Sequence, residues 1–481
     1  MDLAEYSRCD GVALAGLVRR GKVTPEELAY LFREAVEKVN PKINAIIEVY
    51  LDRIEALSNK SISDGPFSGV PFLMKDIGAG EMGRHQESGS RLIQGNVTDK
   101  DSFLTTLFKE AGLTLLGRTT TPEFALGIST ESELLGVTCN PWNPDTMSGG
   151  SSGGAAASVA AGIVPIAHGS DNGGSIRIPA SACGLVGLKP SRGRVTLGPD
   201  IGELWPGMLQ EFVLSRTVRD TAVMLDEVSR PVLGDPFIIK QPARPYAREL
   251  DAPTEKLRIA WTTDPWQPDV SVDSEVVKCV EQVVSHCENA GHELVQLSPT
   301  FDYEEYLRAV CVAWAFGVYM GMDMFASLMG RKVNEETVEP VMLSFYEYSR
   351  ALTAADMFMA EFALNQFRRN FGDFFQQYDL LLTPTLNQLP EPHGKYSKMR
   401  RDLGYEDYMR LCEETKVHTT AANVTGQPAI TLPLGQSRSG LPIGVQFMAR
   451  FGEEGTLIRL ASSLEKEIPW HHQIPPIHAS R

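Results

Sequence analysis

The chain has 481 residues, 43% hydrophobic and 22% charged, which is the composition of a globular protein with room for one large domain or for two or three smaller ones. Its 45 basic and 61 acidic residues leave a net charge of −16, which argues against nucleic acids and anionic membranes as partners, because phosphate groups are bound by surfaces rich in Lys and Arg. The seven cysteines form no CxxC pair, and the acidic N-terminal stretch lacks a signal-peptide core, so we expect a cytoplasmic protein with reduced thiols.

Helix and strand patterns alternate along the chain. A capping-box pattern at Thr24 and Glu27 begins a predicted helix over 24–38. Further helices are predicted over 101–112 and 274–291, and strands over 113–117, 257–261, 292–297, 379–384, 429–433 and 443–449. This alternation predicts an α/β fold with a largely parallel or mixed sheet.

One stretch approaches the composition of a membrane span. CVAWAFGVYMGMDMFASLMG, residues 311–330, is long and apolar and carries a single charge, Asp323. An acid in the middle of a span is costly in a bilayer. The stretch is therefore better interpreted as a buried or pocket-lining helix, and we expect no membrane partner.

A serine among glycines is the first candidate for chemistry. GSDNGGSIRIP, residues 169–179, places Ser175 directly after Gly173 and Gly174. One interpretation is a surface turn, in which glycine is the common residue. The other is a nucleophile whose neighbouring backbone N–H groups hold a developing oxyanion. The stretch by itself favours the turn, so the decision depends on the rest of the chain.

A second serine stretch lies upstream. SGGSSGGAAASVAAG, residues 148–162, begins like a flexible linker but continues with helix-forming small residues and then the strand-like IVPIA. A helix over 154–161 would cover about 12 Å, and a strand over 163–167 would return about 16 Å. The helix and the strand run in opposite directions over nearly the same length, so Ser151 and Ser152 are predicted to lie near Ser175.

A base for such a serine is found in GVPFLMKDI, residues 69–77. Lys75 follows an apolar run and is expected where that strand ends. It could extend to solvent, as lysines at strand ends often do. Alternatively, burial among apolar and small residues would lower its pKa and make it a base near neutral pH, without any histidine.

The sequence does not contain the motifs of common cofactor sites in their usual context. GAGEMG, residues 78–83, has the spacing of a dinucleotide loop but leads into polar RHQESGSR rather than a helix. GLVGLKPS, residues 184–191, lacks the P-loop spacing, and the nine histidines show no metal-ligand pattern. The sequence therefore implies no nucleotide, metal or other cofactor.

Three motifs together resemble those of the amidase signature family. They are GVPFLMKD (69–76), NPWNPDTMSGGSSGG (140–154) and SDNGGSIRIPASACGLVGLKPSRGRV (170–195). The resemblance covers roughly 20–200 and 378–465, and within the family it is strongest to the branch with 6-aminohexanoate-cyclic-dimer hydrolases. It implies a hydrolase of amide C–N bonds and an α/β fold in which helices flank both faces of a mixed central sheet.

The resemblance also implies a catalytic Ser–cis-Ser–Lys triad. Lys75 matches the family's base, Ser151 the bridging serine that follows a cis peptide bond, and Ser175 the nucleophile. It also implies an oxyanion hole formed by four backbone N–H groups, those of Asn172, Gly173, Gly174 and Ser175. Asp171 and Arg177 match polar residues that hold this loop in place. No cofactor takes part in this mechanism.

The chain departs from the family pattern at a few positions. Ser170 replaces a threonine of the usual TDxGGS but keeps the hydroxyl. Arg118 and Thr120 replace a common lysine and asparagine, and we expect Thr120 to alter the pocket wall slightly. None of these departures falls on the three triad positions.

The middle of the chain is expected to shape the substrate pocket. We expect a single domain over 1–481, with a signature core at about 69–200 and a variable pocket-forming region at about 200–377. Many of its methionine and aromatic side chains are predicted to pack in the core. We expect some of them to line a pocket for a small, mainly apolar amide. The whole set is Trp314, Phe316, Tyr319, Met320, Met322, Met324, Phe325, Met329, Phe345, Met357, Met359 and Phe362.

Other functions stay open at this point. The glutaminase subunit of a glutamyl-tRNA amidotransferase would share the triad and depend on partner subunits. An esterase or a carbamoyl hydrolase could use the same residues, and a catalytically silent scaffold would need none of them. The sequence leaves a homodimer open as well.

Overall fold

The computed structural model describes residues 1–57, 63–267 and 269–481. Within these ranges the helices are α1 (Leu3–Arg8), α2 (Gly11–Arg19), α3 (Pro25–Ile43), α4 (Leu51–Ala56), α5 (Phe103–Glu110), α6 (Gly153–Ala160), α7 (Arg177–Cys183), α8 (Val218–Val228), α9 (Ser274–Asn289), α10 (Tyr303–Met329), α11 (Pro340–Ala351), α12 (Ala354–Gln377), α13 (Tyr405–Lys416), α14 (Thr420–Thr425) and α15 (Glu454–Glu467). The strands are β1 (Ile46–Val49), β2 (Pro71–Lys75), β3 (Thr114–Thr119), β4 (Glu131–Ser132), β5 (Gly136–Val137), β6 (Ile166–Asp171), β7 (Val186–Lys189), β8 (Gln210–Ser215), β9 (Arg258–Trp261), β10 (Glu293–Gln296), β11 (Leu380–Pro384), β12 (Ala429–Gln436) and β13 (Pro442–Ala449).

Eleven of these strands form one mixed sheet in the order β1-β3-β2-β6-β8-β7-β12-β13-β11-β9-β10. Parallel pairs join β3, β2 and β6 at one end and β11, β9 and β10 at the other. The central strands from β6 to β11 pair antiparallel. The α/β fold with a mixed sheet predicted from the sequence is confirmed.

The helix predicted at Thr24 has its capping box, since the Thr24 side chain accepts from the Glu27 N–H and the Glu27 side chain accepts from the Thr24 N–H. The helix continues to Ile43, five residues beyond the predicted end at 38. Pro41 does not stop it, because a proline in the last turn removes only one backbone donor, and buried Val39 and Ile43 fasten that turn to the core.

The small-residue helix α6 and the strand β6 form the pair of opposed elements that the sequence predicts. All eight residues of α6 are buried, and a Cβ added to Gly154 would lie 2.3 Å from the Thr120 hydroxyl, so only a small residue allows this packing. The strand begins at Ile166 rather than at 163, because a turn at Gly162, with φ of 74°, occupies the intervening residues.

Helix α10 contains the apolar stretch at 311–330. It is the one helix in the described ranges that is long and apolar enough to cross a membrane. Helix α10 packs against α11 and α12, and its residues Trp314, Val318 and Met322 are buried. Asp323 lies on the exposed face and accepts a hydrogen bond of 2.6 Å from the Tyr346 hydroxyl.

Candidate active site

Lys75 is the last residue of β2, which lies between the parallel strands β3 and β6. The carboxyl ends of parallel neighbours meet at one edge of the sheet, so Lys75 and the end of β6 come together. The Lys75 backbone N–H donates to Nδ1 of buried His168, 3.2 Å away on β6. The side chain of Lys75 does not reach solvent, since the residue is 1% exposed.

Three serine hydroxyls surround the Lys75 amine. Its Nζ lies 2.7 Å from Ser151 Oγ, 2.9 Å from Ser152 Oγ and 2.9 Å from Ser170 Oγ. Burial lowers the pKa of Lys75 to about 7, although the negative charges of Glu211 and Asp171 oppose this shift. A neutral amine has two donors and one lone pair, and three hydroxyls can satisfy all of them.

The serines at 151 and 152 immediately precede α6, whose N-terminus lies at the same edge of the sheet. The Gly150–Ser151 peptide bond is cis. The Ser152 N–H donates to the Ser175 carbonyl at 3.3 Å, and Ser151 and Ser175 line the same cavity. The structure thus brings Lys75, Ser151 and Ser175 to one place, and the two serines lie near each other as the helix and strand lengths predict.

An ion pair beneath the glycine loop holds the loop in shape. Asp171 accepts from the backbone N–H groups of Gly174 at 2.8 Å and Ile176 at 3.1 Å, and its two carboxylate oxygens accept from Nε and one terminal nitrogen of the Arg177 guanidinium. Arg177 also donates to the Asn423 side chain at 2.6 Å. Burial alone raises the pKa of Asp171, but Arg177 and these hydrogen bonds outweigh it and hold that pKa well below the usual range.

The backbone donors of the loop divide into two groups. The Gly174 N–H is used by Asp171, so its predicted place in the oxyanion hole is wrong in this geometry. The N–H groups of Asn172, Gly173 and Ser175 donate to no acceptor within the described ranges. Two threonine hydroxyls, Thr419 at 2.7 Å and Thr420 at 3.3 Å, donate to the Gly173 carbonyl and fix that peptide plane from the other side. Gly174 has φ of 127°, which favours glycine.

The loop opens into a cavity of about 580 Å³. The signature residues Ser151, Ser170, Asn172, Gly173 and Ser175 form one part of its lining. From the predicted soft and aromatic set, Trp314, Met320, Met324 and Phe325 of α10 line it. Met322 and Phe345 are instead buried in the core, and Met359 and Phe362 are exposed on α12.

Some contacts around Lys75 were not assigned from the sequence. Ser152 and Ser170 add two hydroxyls to its amine, and Glu211 on β8 lines the cavity beside Gly78. The Nε2 atom of His168 lies 3.7 Å from a Glu211 oxygen. The sequence signal for Glu211 is a single acid in the strand QEFVLS, and such a pattern is too common to point to a site.

Two of the three departures from the family pattern, Thr120 and Arg118, lie away from the cavity lining. The Thr120 hydroxyl lies 2.6 Å from that of Thr138 and packs against α6, so the expected effect on the pocket wall is wrong. Arg118 pairs with three carboxylates, on Glu48, Asp76 and Glu87, and ties β3 to its neighbours. In the ranges that the structure describes, no group of three His, Cys, Asp or Glu could hold a metal ion.

Comparison with known proteins agrees with this geometry. The model of the family described as Amidase matches residues 27–458. The 6-aminohexanoate-cyclic-dimer hydrolase of Paenarthrobacter ureafaciens is 33% identical over 477 residues, which are 97% of this chain and 96% of that protein. This chain belongs to the amidase signature family. It is therefore a hydrolase of amide C–N bonds.

Solved structures of other amidase signature proteins share the fold over the whole chain. A structure of 6-aminohexanoate cyclic dimer hydrolase superposes with a TM-score of 0.90 at 32% identity, covering 99% of each chain. The glutamyl-tRNA(Gln) amidotransferase of Thermotoga maritima contains a subunit that superposes with a TM-score of 0.78 at 26% identity, covering 98% of each chain. A catalytically silent scaffold is thus the interpretation that the comparisons favour least.

Proposed function

We propose that this amidase cleaves carboxamides through an acyl-enzyme on Ser175, with Lys75 as the base and Ser151 as the proton relay. The observation that carries the proposal is the 2.7 Å contact between a fully buried lysine amine and Ser151, at a cavity that Ser175 also lines. A pKa of about 7 leaves a large fraction of Lys75 neutral at physiological pH. A neutral amine can accept a proton, which an ordinary lysine cannot do there.

The proposed reaction begins with proton transfer from Ser175 to Ser151 and from Ser151 to Lys75. The Ser175 oxygen attacks the amide carbonyl carbon, and the N–H groups of Asn172, Gly173 and Ser175 hold the oxyanion. When the intermediate collapses, the C–N bond breaks and the proton returns through Ser151 to the leaving nitrogen. Water then attacks the ester by the same relay, which releases the acid and restores the Ser175 hydroxyl.

Asp171 and Arg177 act in this proposal as positioning residues. Asp171 takes up the Gly174 and Ile176 N–H groups, so the loop turns its remaining donors toward the cavity. Neither side chain lines the cavity. Their contribution is preorganisation, which supplies oxyanion stabilisation without reorganising the loop during the reaction.

We also propose that residues 1–481 work as one domain, with the signature core at about 69–200 and the pocket-forming region at about 200–377. Strands from both ends of the chain, β1 and β13, belong to one sheet. The cavity is lined by signature residues and by α10 of the middle region. Removal of the middle region would therefore leave the serine site without the α10 part of its wall.

The substrate we propose is a small amide of mainly apolar character. The α10 side of the cavity offers Met320, Met324 and Phe325, which are adaptable apolar surfaces. The relatives named for hydrolysis of a cyclic dimer of 6-aminohexanoate match the whole chain. The amidotransferase alternative predicts glutaminase activity that appears only with partner subunits, which the experiment below would reveal.

The proposed function is tested by labelling the purified protein with a fluorophosphonate and assaying it on a panel of amides, esters and glutamine, first alone and then with the other subunits of an amidotransferase. We expect one adduct, mapped to the Ser175 peptide, and hydrolysis of apolar amides that the adduct abolishes. An adduct on another residue, or amide hydrolysis that persists after complete labelling of Ser175, would contradict the nucleophile assignment. Glutamine turnover only after addition of partner subunits would favour the amidotransferase.

The pH dependence offers a second prediction. Because protonated Lys75 cannot act as a base, kcat/KM should fall below a pH of about 7, by about tenfold for each further pH unit. The negative charge of Glu211 raises the Lys75 pKa, so Glu211→Gln should lower that pKa and move the acid limb of the profile to lower pH. Glu288→Gln, on the exposed face of α9, is the matched control and should leave the limb in place. A limb that moves to higher pH in Glu211→Gln would contradict the assignment.

A further inference from the structure

A second buried lysine lines the cavity and has no part in the proposed reaction. Lys416 is the last residue of α13 and is 3% exposed. Its Nζ donates to a carboxylate oxygen of Glu413 and, at 2.6 Å, to the hydroxyl of Thr420. An ammonium has three N–H donors, and within the described ranges the third has no oxygen or nitrogen acceptor and faces only the Trp314 ring.

Trp314 of α10 supplies another unused donor beside Lys416. Its indole Nε1 is buried, and no acceptor in the part of the chain that the structure describes bonds to it. Lys416 Nζ lies 5.0 Å from the centre of the Trp314 ring, and both residues line the cavity. Buried N–H groups in proteins are nearly always paired, so two unused donors at one cavity wall point to an acceptor brought by a ligand.

This pair of donors lies close to the proposed oxyanion loop. Thr420, which accepts from Lys416, donates to the Gly173 carbonyl at 3.3 Å. The Cζ2 edge of Trp314 lies against Gly173, since a Cβ added there would come within 2.6 Å of it. A ligand atom held by Lys416 and Trp314 would therefore be only a few bonds from a carbonyl held by the loop.

The charges around Lys416 determine which kind of ligand acceptor would bind there. Glu413 is fully buried and balances Lys416, so the pair is neutral as a whole. A ligand carboxylate would add an uncompensated negative charge to a buried environment, which is costly. A neutral carbonyl oxygen accepts the same N–H groups without that cost.

We propose that Lys416 and Trp314 form a subsite for a second carbonyl oxygen of the substrate, so that the preferred substrates are small molecules with two amide or related carbonyl groups. The subsite rests on the proposed function, because the acyl position on Ser175 sets the distance to the second carbonyl. Lys416 and Trp314 bind and orient in this proposal and take no part in proton transfer. A purely structural role for Lys416, as a brace for Thr420 and the loop, is the alternative.

Matched substrates separate the two roles. We would measure kcat/KM for p-nitroanilides of butanoic, pentanoic and hexanoic acids and for the analogues that carry a terminal carbamoyl group in place of the terminal methyl group. The wild-type protein should prefer at least one carbamoyl compound over its alkanoyl match by about tenfold, which corresponds to about 1.4 kcal/mol. Analogues that end in a carboxylate should be poorer than the carbamoyl compounds.

The variant for this test is Glu413→Gln/Lys416→Met, since removal of Lys416 alone would leave a buried unpaired carboxylate. The preference for the carbamoyl compound should fall to threefold or less. Trp314→Phe removes only the indole N–H and should reduce the preference part of the way. The control is Glu339→Gln/Lys398→Met, which removes another buried Lys–Glu pair that does not line the cavity, and it should keep the wild-type preference.

The outcomes separate this inference from the proposed function. Equal losses on both substrate series, or a wild-type preference for the carboxylates, would overturn the neutral-carbonyl subsite. The double variant could fail to fold, which thermal denaturation would show. In that case, a Trp314→Phe protein with an unchanged preference for the carbamoyl compound would by itself overturn the subsite. Labelling of Ser175 in the wild-type protein is measured beside these assays, so a failure of the nucleophile assignment would be seen as absence of the adduct.

Discussion

Ser175→Ala is expected to reduce hydrolysis of every amide that the wild-type protein cleaves by on the order of 10⁴-fold or more, since no acyl-enzyme can form without the hydroxyl. The variant should fold, because Ser175 is partly exposed at the cavity and its side chain makes no hydrogen bond within the described ranges. Its backbone carbonyl, which accepts from the Ser152 N–H, is unchanged by the substitution. The measurement is kcat/KM on the best amide of the panel, together with the melting temperature.

A serine of α7 serves as the matched control for this variant. Ser181 is buried, does not line the cavity, and accepts a hydrogen bond of 3.1 Å from the Gly444 N–H. Ser181→Ala should lose about 1 kcal/mol of stability through that hydrogen bond and keep its activity. A Ser175→Ala protein that is folded and retains a tenth or more of the wild-type rate would rule out Ser175 as the nucleophile.

Lys75→Met is expected to lower kcat/KM by about 10²- to 10⁴-fold, which is the usual contribution of a general base. Methionine has a similar length and fills the same buried space, but it cannot accept the Ser151 proton. The stability should change little or increase, because the amine is buried almost completely and its charged form is disfavoured there. The acid limb near pH 7 should disappear from whatever activity remains, since that limb reports the protonation of Lys75.

Lys189 is a matched control for the effect of removing a buried lysine. It lies in β7, is fully buried, does not line the cavity, and donates to the Pro190 carbonyl at 2.7 Å. Lys189→Met should keep the acid limb and most of the activity. If Lys75→Met retained both the rate and the limb, the base would have to be sought elsewhere in the cavity.

The two variants also differ in their reaction with the fluorophosphonate. Ser175→Ala should give no adduct, whereas Lys75→Met should give the adduct at Ser175, but more slowly. A hydroxyl without a base is still a weak nucleophile, and the reagent is highly electrophilic. This difference assigns the nucleophile and the base to separate residues.

Local sequence patterns were sufficient to predict most of the helices and strands that the sequence analysis names. The capping box at Thr24 and the alternating helices and strands from 257 to 297 have local causes, and the structure has them within a few residues. The errors lie at the ends of elements. Burial extends α3 to Ile43, and a glycine turn shifts the start of β6 to Ile166. Boundaries of this kind depend on contacts with distant residues, which a local pattern does not contain.

By itself, the sequence determined the family and the residues at the centre of the proposed reaction. Lys75, Ser151 and Ser175 lie in contiguous motifs, and the lengths of the elements between the two serines already predict that they meet. The use of the Gly174 N–H was not visible, because only the fold shows that Asp171 accepts from it. Likewise, Ser170 was seen as a departure from the pattern, and its contact with the Lys75 amine needed the structure.

The tertiary structure alone decided what surrounds these residues. The environment of Lys75 includes Glu211 from a strand more than a hundred residues away, and part of the wall of the cavity comes from α10. Lys416 reaches the Gly173 carbonyl through Thr420, across more than two hundred residues of sequence. Burial and charge at such a site are sums over residues that only folding brings together. The chemistry could therefore be predicted from the motifs, while the pKa of the base and the shape of the pocket could not.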